Sequence, residues 1–411
     1  MRKDTKSYST ANPGRASQFS RRRFLLGCGA ALAGLTLGVG TSAAQEKKGW
    51  LINPVGTDPD SGAEIFQLTD DERPADDIYG EQPYCARDGN RIAVMHYASG
   101  KLVGGLTILD LNDGSLHPVV IGKARFPAFH AWGDYVYYLE TIADKLTLTR
   151  CHYQTLVKEH VAELPQLEGQ FSYGTVSPDH RYYAVSFHPV PSELAQLGTG
   201  GSKVLLFDLK TGEQRTLAQR ADYHFKHEQF SMDGRNRALI QANKMPDVKE
   251  VHLGALEVDR EGIRWFPADR PHTPRPTGHE AWVGCTERIL FSTSSDRDSQ
   301  GNIWTAGLGD AAPVLVSKTP VRFGHVSVSR CGRFWLGDAT AESDVPVHIG
   351  ALKSGRHRRL AFSRTRHDGK QWSHTHPYLT ADNRWLIFNS TRTGRAQVYG
   401  ARLANGFLES L

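Results

Sequence analysis

Two imidazoles and a side-chain amide stand within six residues, Gln371-Trp372-Ser373-His374-Thr375-His376, the densest cluster of metal-binding side chains in the chain. Neutral imidazole is the commonest protein ligand for divalent transition metals, and an amide oxygen adds a hard donor. Histidines at i and i+2 on an extended strand project to one face, so both reach a single ion. The chain has 18 histidines, and in such a chain a His-x-His pair also arises by chance. The metal reading therefore rests on where the segment falls in an internal repeat.

That repeat runs through most of the sequence: an apolar stretch, a tight polar turn, then a strand of aromatic and β-branched residues. Its turns lie at Asp88-Gly89, Gly133-Asp134, Asp179-His180, Asp233-Gly234, Thr286-Glu287, Cys331-Gly332 and Asp382-Asn383. Asp-Gly and Asp-Asn between alternating apolar residues mark hairpins, because such turns need positive φ. The spacing of roughly 45 to 54 residues is that of a four-stranded propeller blade. Third strands follow, as in Leu106–Leu111 and Val204–Leu209, and Ile65-Phe66-Gln67-Leu68-Thr69 reads as an outer strand that closes the ring from the N-terminal side. The expected fold is an all-β, seven-bladed β-propeller over residues 45–411, with no room for a second domain.

In a propeller the first strand of each blade lines the central channel, so equivalent positions at its start converge on one mouth. Here those positions carry His130, Tyr173, His227, His279, His325 and the pair His374 and His376. Gly278-His279 and Gly324-His325 repeat a Gly-His pair at one phase. A buried histidine can be kept for packing alone, but packing does not account for a doubled histidine and a glutamine on the last blade. The expectation is a metal site at the channel mouth.

Residues 1–44 form no part of that fold. Ser20-Arg21-Arg22-Arg23-Phe24-Leu25-Leu26 matches the twin-arginine export pattern, followed by an apolar Gly/Ala-rich run to about Val39 and small residues at Thr41-Ser42-Ala43-Ala44. The run is short and broken by glycines, which argues against a permanent membrane anchor. The expectations are the Tat translocase as a transient partner, no stable membrane insertion after cleavage, and a periplasmic or secreted mature protein. That route carries folded proteins, so a metal can be loaded before competing zinc or copper is met. Cys85, Cys151, Cys285 and Cys331 lie far apart with no C-x-x-C, which excludes a zinc ribbon; they read as buried packing residues. A net charge of +5 with no basic stripe argues against nucleic acid and is compatible with an acidic substrate. No G-x-S-x-G elbow is present for serine-hydrolase chemistry.

Gly278-His279-Glu280-Ala281-Trp282-Val283 and Gln371-Trp372-Ser373-His374-Thr375-His376-Pro377 resemble the metal-binding segments of the oligogalacturonate lyase family, as does the C-terminal run through Asp382-Asn383-Arg384-Trp385 and Gln397-Val398-Tyr399. The resemblance covers most of residues 45–411 and is most specific from Gly278 onward. It implies a seven-bladed propeller holding a divalent ion, most often Mn2+, on three histidines and a glutamine; the matching positions are His279, Gln371, His374 and His376. Thr375 stands where the family usually has proline. The implied reaction is metal-dependent β-elimination on oligogalacturonates in pectin degradation, with an acidic oligosaccharide as partner. His227 resembles a family histidine near the reacting sugar, and Lys203 stands where a catalytic arginine is expected, which leaves the base open between the two. His325 and Tyr173 are assigned to substrate binding. Thr391-Arg392-Thr393-Gly394-Arg395 and Ser294-Ser295-Asp296-Arg297 resemble the blade signature of TolB-like propellers, so a non-catalytic periplasmic binding or scaffold module is the alternative. A lyase for another uronic acid oligosaccharide is a third reading.

Overall fold

The polar turns of the repeat are the hairpins that turn each innermost strand back against the next. Ser177, Ser231, Ser329 and Thr380 accept no interruption there: their amides donate to Tyr182, Arg237, Phe334 and Trp385 across the turn. Asp179, Asp233 and Asp382 cap the same turns through their carboxylates, accepting from the amides of Arg181, Arg235 and Arg384, so side chain and backbone specify one local structure. The computed structural model describes residues 53–69, 73–97, 103–189, 201–293, 302–319, 321–367 and 370–411. The expected export signal and the interior of the insertion between Pro189 and Gly201 lie outside the described residues.

The strands assemble into seven antiparallel blades. The fourth to sixth are simple meanders: Tyr223–Phe230 to Ile263–Trp265, Pro276–Trp282 to Val314–Ser317, and Val326–Val328 to His357–Phe362. The third sets Gly169–Phe171 and Thr175–Val176 against Tyr182–Pro189, then adds Ser202–Asp208 and Gln214–Arg220. The first and second blades share one long strand, Leu116–Ala128, which pairs with Val103–Asp110 and then, at Arg125 and Ala128, with Tyr135–Ile142. In the seventh blade Glu64–Gln67 pairs with Gln397–Arg402, Ile65 opposite Ala401, as the outer strand expected from the sequence.

Blades adhere face to face through apolar side chains that alternate along their strands. Leu239, Leu253 and Ala255 of the fourth blade pack with Trp282, Ile289 and Phe291 of the fifth. At the closing seam Leu68 packs with Trp385, Ile387 and Val398, joined by Ile92 and Val94 of the first blade. Thr69 Oγ1 also donates to Gln397 Oε1 at 2.5 Å. One expectation fails: Cys85 and Cys151 are buried, but Cys285 and Cys331 are exposed, because they sit on the hairpin tips and not in the strands behind them. Leu68→Ala would leave a cavity where the last blade meets the first, at a cost of about 2–5 kcal/mol. The expected readout is a lower denaturation midpoint; a midpoint equal to wild type would show that ring closure does not depend on this contact.

Candidate metal centre

The innermost strands share one irregularity. Tyr173 falls in the gap between Gly169–Phe171 and Thr175–Val176, and register breaks bracket His227 and His279. His325 and His376 stand just before strands that begin at Val326 and Tyr378. All five lie four residues ahead of the residue that opens their blade's turn. A break in the ladder frees the side chain from alternation and re-aims it, which is the usual use of a bulge beside a functional site. His227 and His376 also have left-handed backbones, φ 62° and 45°, a conformation costly for a non-glycine residue unless its surroundings hold it.

The result is a chain of rings across the mouth. Centroids of His227 and His279 are 5.3 Å apart, His279 and His325 4.3 Å, His325 and His376 4.7 Å, and His374 and His376 5.6 Å. Tyr79 stands against His227 and His376 at 5.3 and 4.8 Å and touches Tyr173 at 6.0 Å, and its hydroxyl is 2.7 Å from His227 Nε2. Gln371 reaches the group by its amide, 3.1 Å from His376 Nε2.

Within this assembly His325, His374 and His376 form one group whose ligand atoms lie within 4.8 Å of one another. Glu81, His227 and His279 form a second. This grouping differs from the ligand set expected from the sequence. His325, expected at the substrate, groups with His374 and His376. His279, expected among the ligands, has its Nδ1 against the Glu81 carboxylate. His325 Nδ1 lies 2.8 Å from Asp338 Oδ2, and its amide donates to Asp338 Oδ1 at 2.7 Å. A carboxylate on one ring nitrogen fixes the tautomer and leaves the other nitrogen as the lone-pair donor, the arrangement typical of metal-bound histidine.

These residues fit a divalent cation. His374 Nδ1 and His376 Nδ1 are buried with no hydrogen-bond partner. Burial, and then the neighbouring imidazoles of His325 and His376, pull His374 down to about 3, so it is a neutral donor at any ordinary pH. Burial also pulls on His325, but Asp338 outweighs it and raises that imidazole above its ordinary value, while Asp338 itself is held down to about 2. Half a turn of the Gln371 amide exchanges nitrogen for oxygen. Two donors each about 2.2 Å from one ion at right angles are about 3.1 Å apart, which is the Gln371–His376 separation found here. Three imidazoles, an amide and no thiolate make a mixed nitrogen–oxygen set of the kind that takes first-row divalent ions.

Behind the rings lies a buried charged layer. Glu280 is fully buried with both carboxylate oxygens unpartnered, one of them 3.5 Å from His227 Nδ1. Burial, and then Glu81, raises it well above the usual carboxylate range; burial raises Glu81 to about 7. Lys226 sits beside both, its pKa lowered by burial against the pull of Glu280 and Glu81. Asp76 and Asp77 are 3.8 Å from His376 Nδ1 and share the amide of Asn389.

The sequence reading missed Tyr79, Glu81, Lys226, Glu280 and Asp338. Lys226 and Glu280 are the immediate neighbours of His227 and His279, a signal that was available. Tyr79 and Glu81 were hidden because the first blade carries no histidine at its mouth. Lys203, by contrast, pairs with Phe187 and Gln219 on its blade's third strand, and no contact among the described residues ties it to the rings. His130 is likewise elsewhere, buried against His180 and Tyr137 with centroids 4.5 and 5.4 Å away, because it borders the turn itself and not the mouth. Nor is the His-x-His segment a strand: Gln371–Ser373 is one turn of 3-10 helix, and the left-handed His376 does the inward turning.

The fold is shared with proteins of known structure. An oligogalacturonate lyase in complex with manganese is similar over 88% of this chain and 99% of that one, at 20% identity and a TM-score of 0.72. An oligogalacturonate lyase from Vibrio parahaemolyticus is similar over 88% of this chain and 100% of that one, at 16% identity and a TM-score of 0.71. Their propeller is this propeller. No family model matches the sequence, and no curated protein does. The resemblance read from the motifs and the likeness of the folds point to the same proteins.

Asp338→Asn is expected to weaken Mn2+ binding about 10–100-fold, as loss of a carboxylate behind a ligand histidine generally does. In wild type, binding must displace a proton from His325 below its raised pKa, whereas His374 adds no competition above about pH 4. The asparagine variant removes what raises His325, so proton release measured by calorimetry near pH 6 should shrink. Unchanged affinity and proton release would place the ion elsewhere.

Proposed function

We infer that this protein is a divalent-metal-dependent lyase that cleaves oligogalacturonates by β-elimination. The observation that carries the reading is the convergence of His325, His374, His376 and Gln371 at the mouth of a propeller similar to those lyases, with Asp338 fixing one ring. These four residues would hold the ion, with His279 beside them; manganese is favoured because one similar structure is a manganese complex. When bound, the ion supplies a Lewis acid for the negative charge that grows on a uronate carboxylate during proton removal.

The rest of the reaction falls to side chains. A base takes the proton from the carbon next to the carboxylate, that C–H pair becomes the new double bond, and the glycosidic oxygen on the adjacent carbon leaves and is protonated. Lys226 and His227 are the candidate bases. Burial, and next Lys226, holds His227 well below its ordinary value, so it is a neutral acceptor. Lys226 must be neutral to act, and burial moves it in that direction. Tyr79 stays protonated, since burial raises it well above the usual phenol range, and its hydroxyl is placed to orient His227. Lys203 is the weaker candidate because nothing links it to the rings. Tyr173 remains a substrate contact through its place against Tyr79.

We further assign residues 1–44 to a twin-arginine leader and the mature protein to the periplasm or exterior, on the Ser20–Leu26 motif.

The test is ultraviolet absorbance of the unsaturated uronate product, using metal-stripped protein with and without added Mn2+. A metal-dependent rise is expected, abolished in His374→Ala, which should stay folded and lose metal. Lys226→Ala should lower kcat by about 10²–10⁴ while retaining metal, the range for a general base, and Lys203→Ala should change it little. A flat trace from metal-loaded wild type would sink the oligogalacturonate assignment; a collapse confined to Lys203→Ala would return the base to that residue.

A further inference from the structure

Beside the metal centre, a cleft of about 620 Å³ opens between the segment carrying Gln371 and the second hairpin of the seventh blade. Among the described residues its walls carry Arg364, Arg366, Lys370, Arg392 and Arg395 against a single acidic residue, Asp344, with the half-buried Trp372 ring among them. Arg364 and Arg366 are exposed, and among the described residues their guanidinium groups make no ion pair or hydrogen bond. Exposed guanidinium groups without a carboxylate partner contribute nothing evident to folding, so Arg364 and Arg366 are not explained by the fold.

The arginines are nonetheless held in place. Thr365, between them, is buried and donates from Oγ1 to Ser373 O at 2.9 Å. The Arg366 amide donates to Thr391 Oγ1 at 2.6 Å, pinning this loop to the opposite wall. Trp372 is braced by Tyr97, stacked at 4.9 Å, and Lys370 Nζ stands 5.8 Å from its ring. The two sites share one segment: Lys370 and Trp372 line the cleft, while Gln371 and His374 between and after them turn to the metal centre. His367, next to Arg366 in the chain, stacks on His374 at 4.9 Å.

We propose that this cleft is an extension subsite for an acidic oligosaccharide, binding the carboxylates of uronate residues beyond the one at the metal centre. The proposal rests on the function assigned above. Arg364 and Arg366 present planar donor pairs that match a carboxylate, and the indole face supplies the apolar surface on which a pyranose ring lies. An isolated phosphate or sulfate would use the arginines but not the indole. The consequence is selection by length: a chain of four uronates engages both sites, a disaccharide only the metal centre.

Calorimetry with digalacturonate and tetragalacturonate on Mn2+-loaded protein tests this, alongside the ultraviolet assay. Wild type should bind the tetramer about tenfold more tightly than the dimer. The double variant Arg364→Ala/Arg366→Ala should lose that gain, bind the dimer as before, unfold no lower than wild type, and show a raised KM for the tetramer with kcat unchanged. Trp372→Ala should lose part of the gain at every salt concentration, whereas the arginine contribution should fade as salt rises. Equal affinity for the two lengths in an active enzyme would overturn the cleft alone. Length-dependent binding without product would sink the lyase and leave the cleft standing. No binding of either oligomer would sink both, and inorganic phosphate competing as well as the tetramer would reduce the cleft to a general anion site.

Discussion

Five imidazoles, a phenol and two carboxylates touch one another in a throat nearly closed to water, and they cannot all be charged at once. Burial pulls His227 and His279 down and pushes Glu81 and Glu280 up. The ordinary outcome of such crowding is loss of charge, and His227, His279 and His374 are accordingly held as neutral imidazoles. Burial lowers Lys226 against the opposing pull of Glu280 and Glu81, and its charge adds to what holds His227 and His279 down. Asp338, held to about 2 beside His325, contributes the fixed negative charge on the cation side of the throat.

That crowding is possible only because the ring closes tightly at its seam. Asn389 of the last blade donates to Asp76 and Asp77 of the first at 2.6 and 2.8 Å and also reaches His374 O at 3.1 Å. Asn389 Oδ1 in turn accepts from the Asp77 amide at 3.0 Å. One side chain therefore ties the closure of the fold to the backbone of a candidate ligand. The first blade's loop approaches so closely that a Cβ on Gly80 would lie 2.7 Å from the His376 backbone, which is why a glycine separates Tyr79 from Glu81. Closing the ring and building the mouth are one packing problem, and the left-handed His376 is its solution.

The period of the repeat was legible because hairpin chemistry is local: an Asp-Gly or Asp-Asn turn announces itself without knowledge of its neighbours. The positions of the mouth residues were legible for the same reason, since Tyr173, His227, His279, His325 and His376 keep a constant distance to those turns. The facing of each ring was not. It depends on register breaks at His227 and His279 and on φ at His376, none of which leaves a mark in the local sequence. Strand alternation does not bring His374 and His376 together, because their segment follows a turn of 3-10 helix and is no strand. Which carboxylate meets which ring has a tertiary cause: Asp338, from the next strand, meets His325 and Glu81, from another blade, meets His279. Lys203 rests on an analogy of sequence position, and no contact among the described residues ties it to the rings.

The distribution of positive charge divides the mouth into two regions with different physics. In the throat, charge is balanced within a few contacts, so under the proposed function a bound cation would be the net positive feature that an incoming carboxylate meets. At the rim over the seventh blade, Arg364 and Arg366 carry unbalanced charge in solvent, where it acts at a distance and weakens with salt. Had those arginines stood in the throat, they would have competed with the cation for the same carboxylate and repelled it from its imidazoles. Had the rim been neutral, a polyanion would have been drawn only by a screened and recessed ion. Under the proposed function, separating long-range attraction from short-range neutralisation would let one connection between strands serve both, since the segment from Arg364 to His376 carries the two sets of side chains on a single stretch of chain.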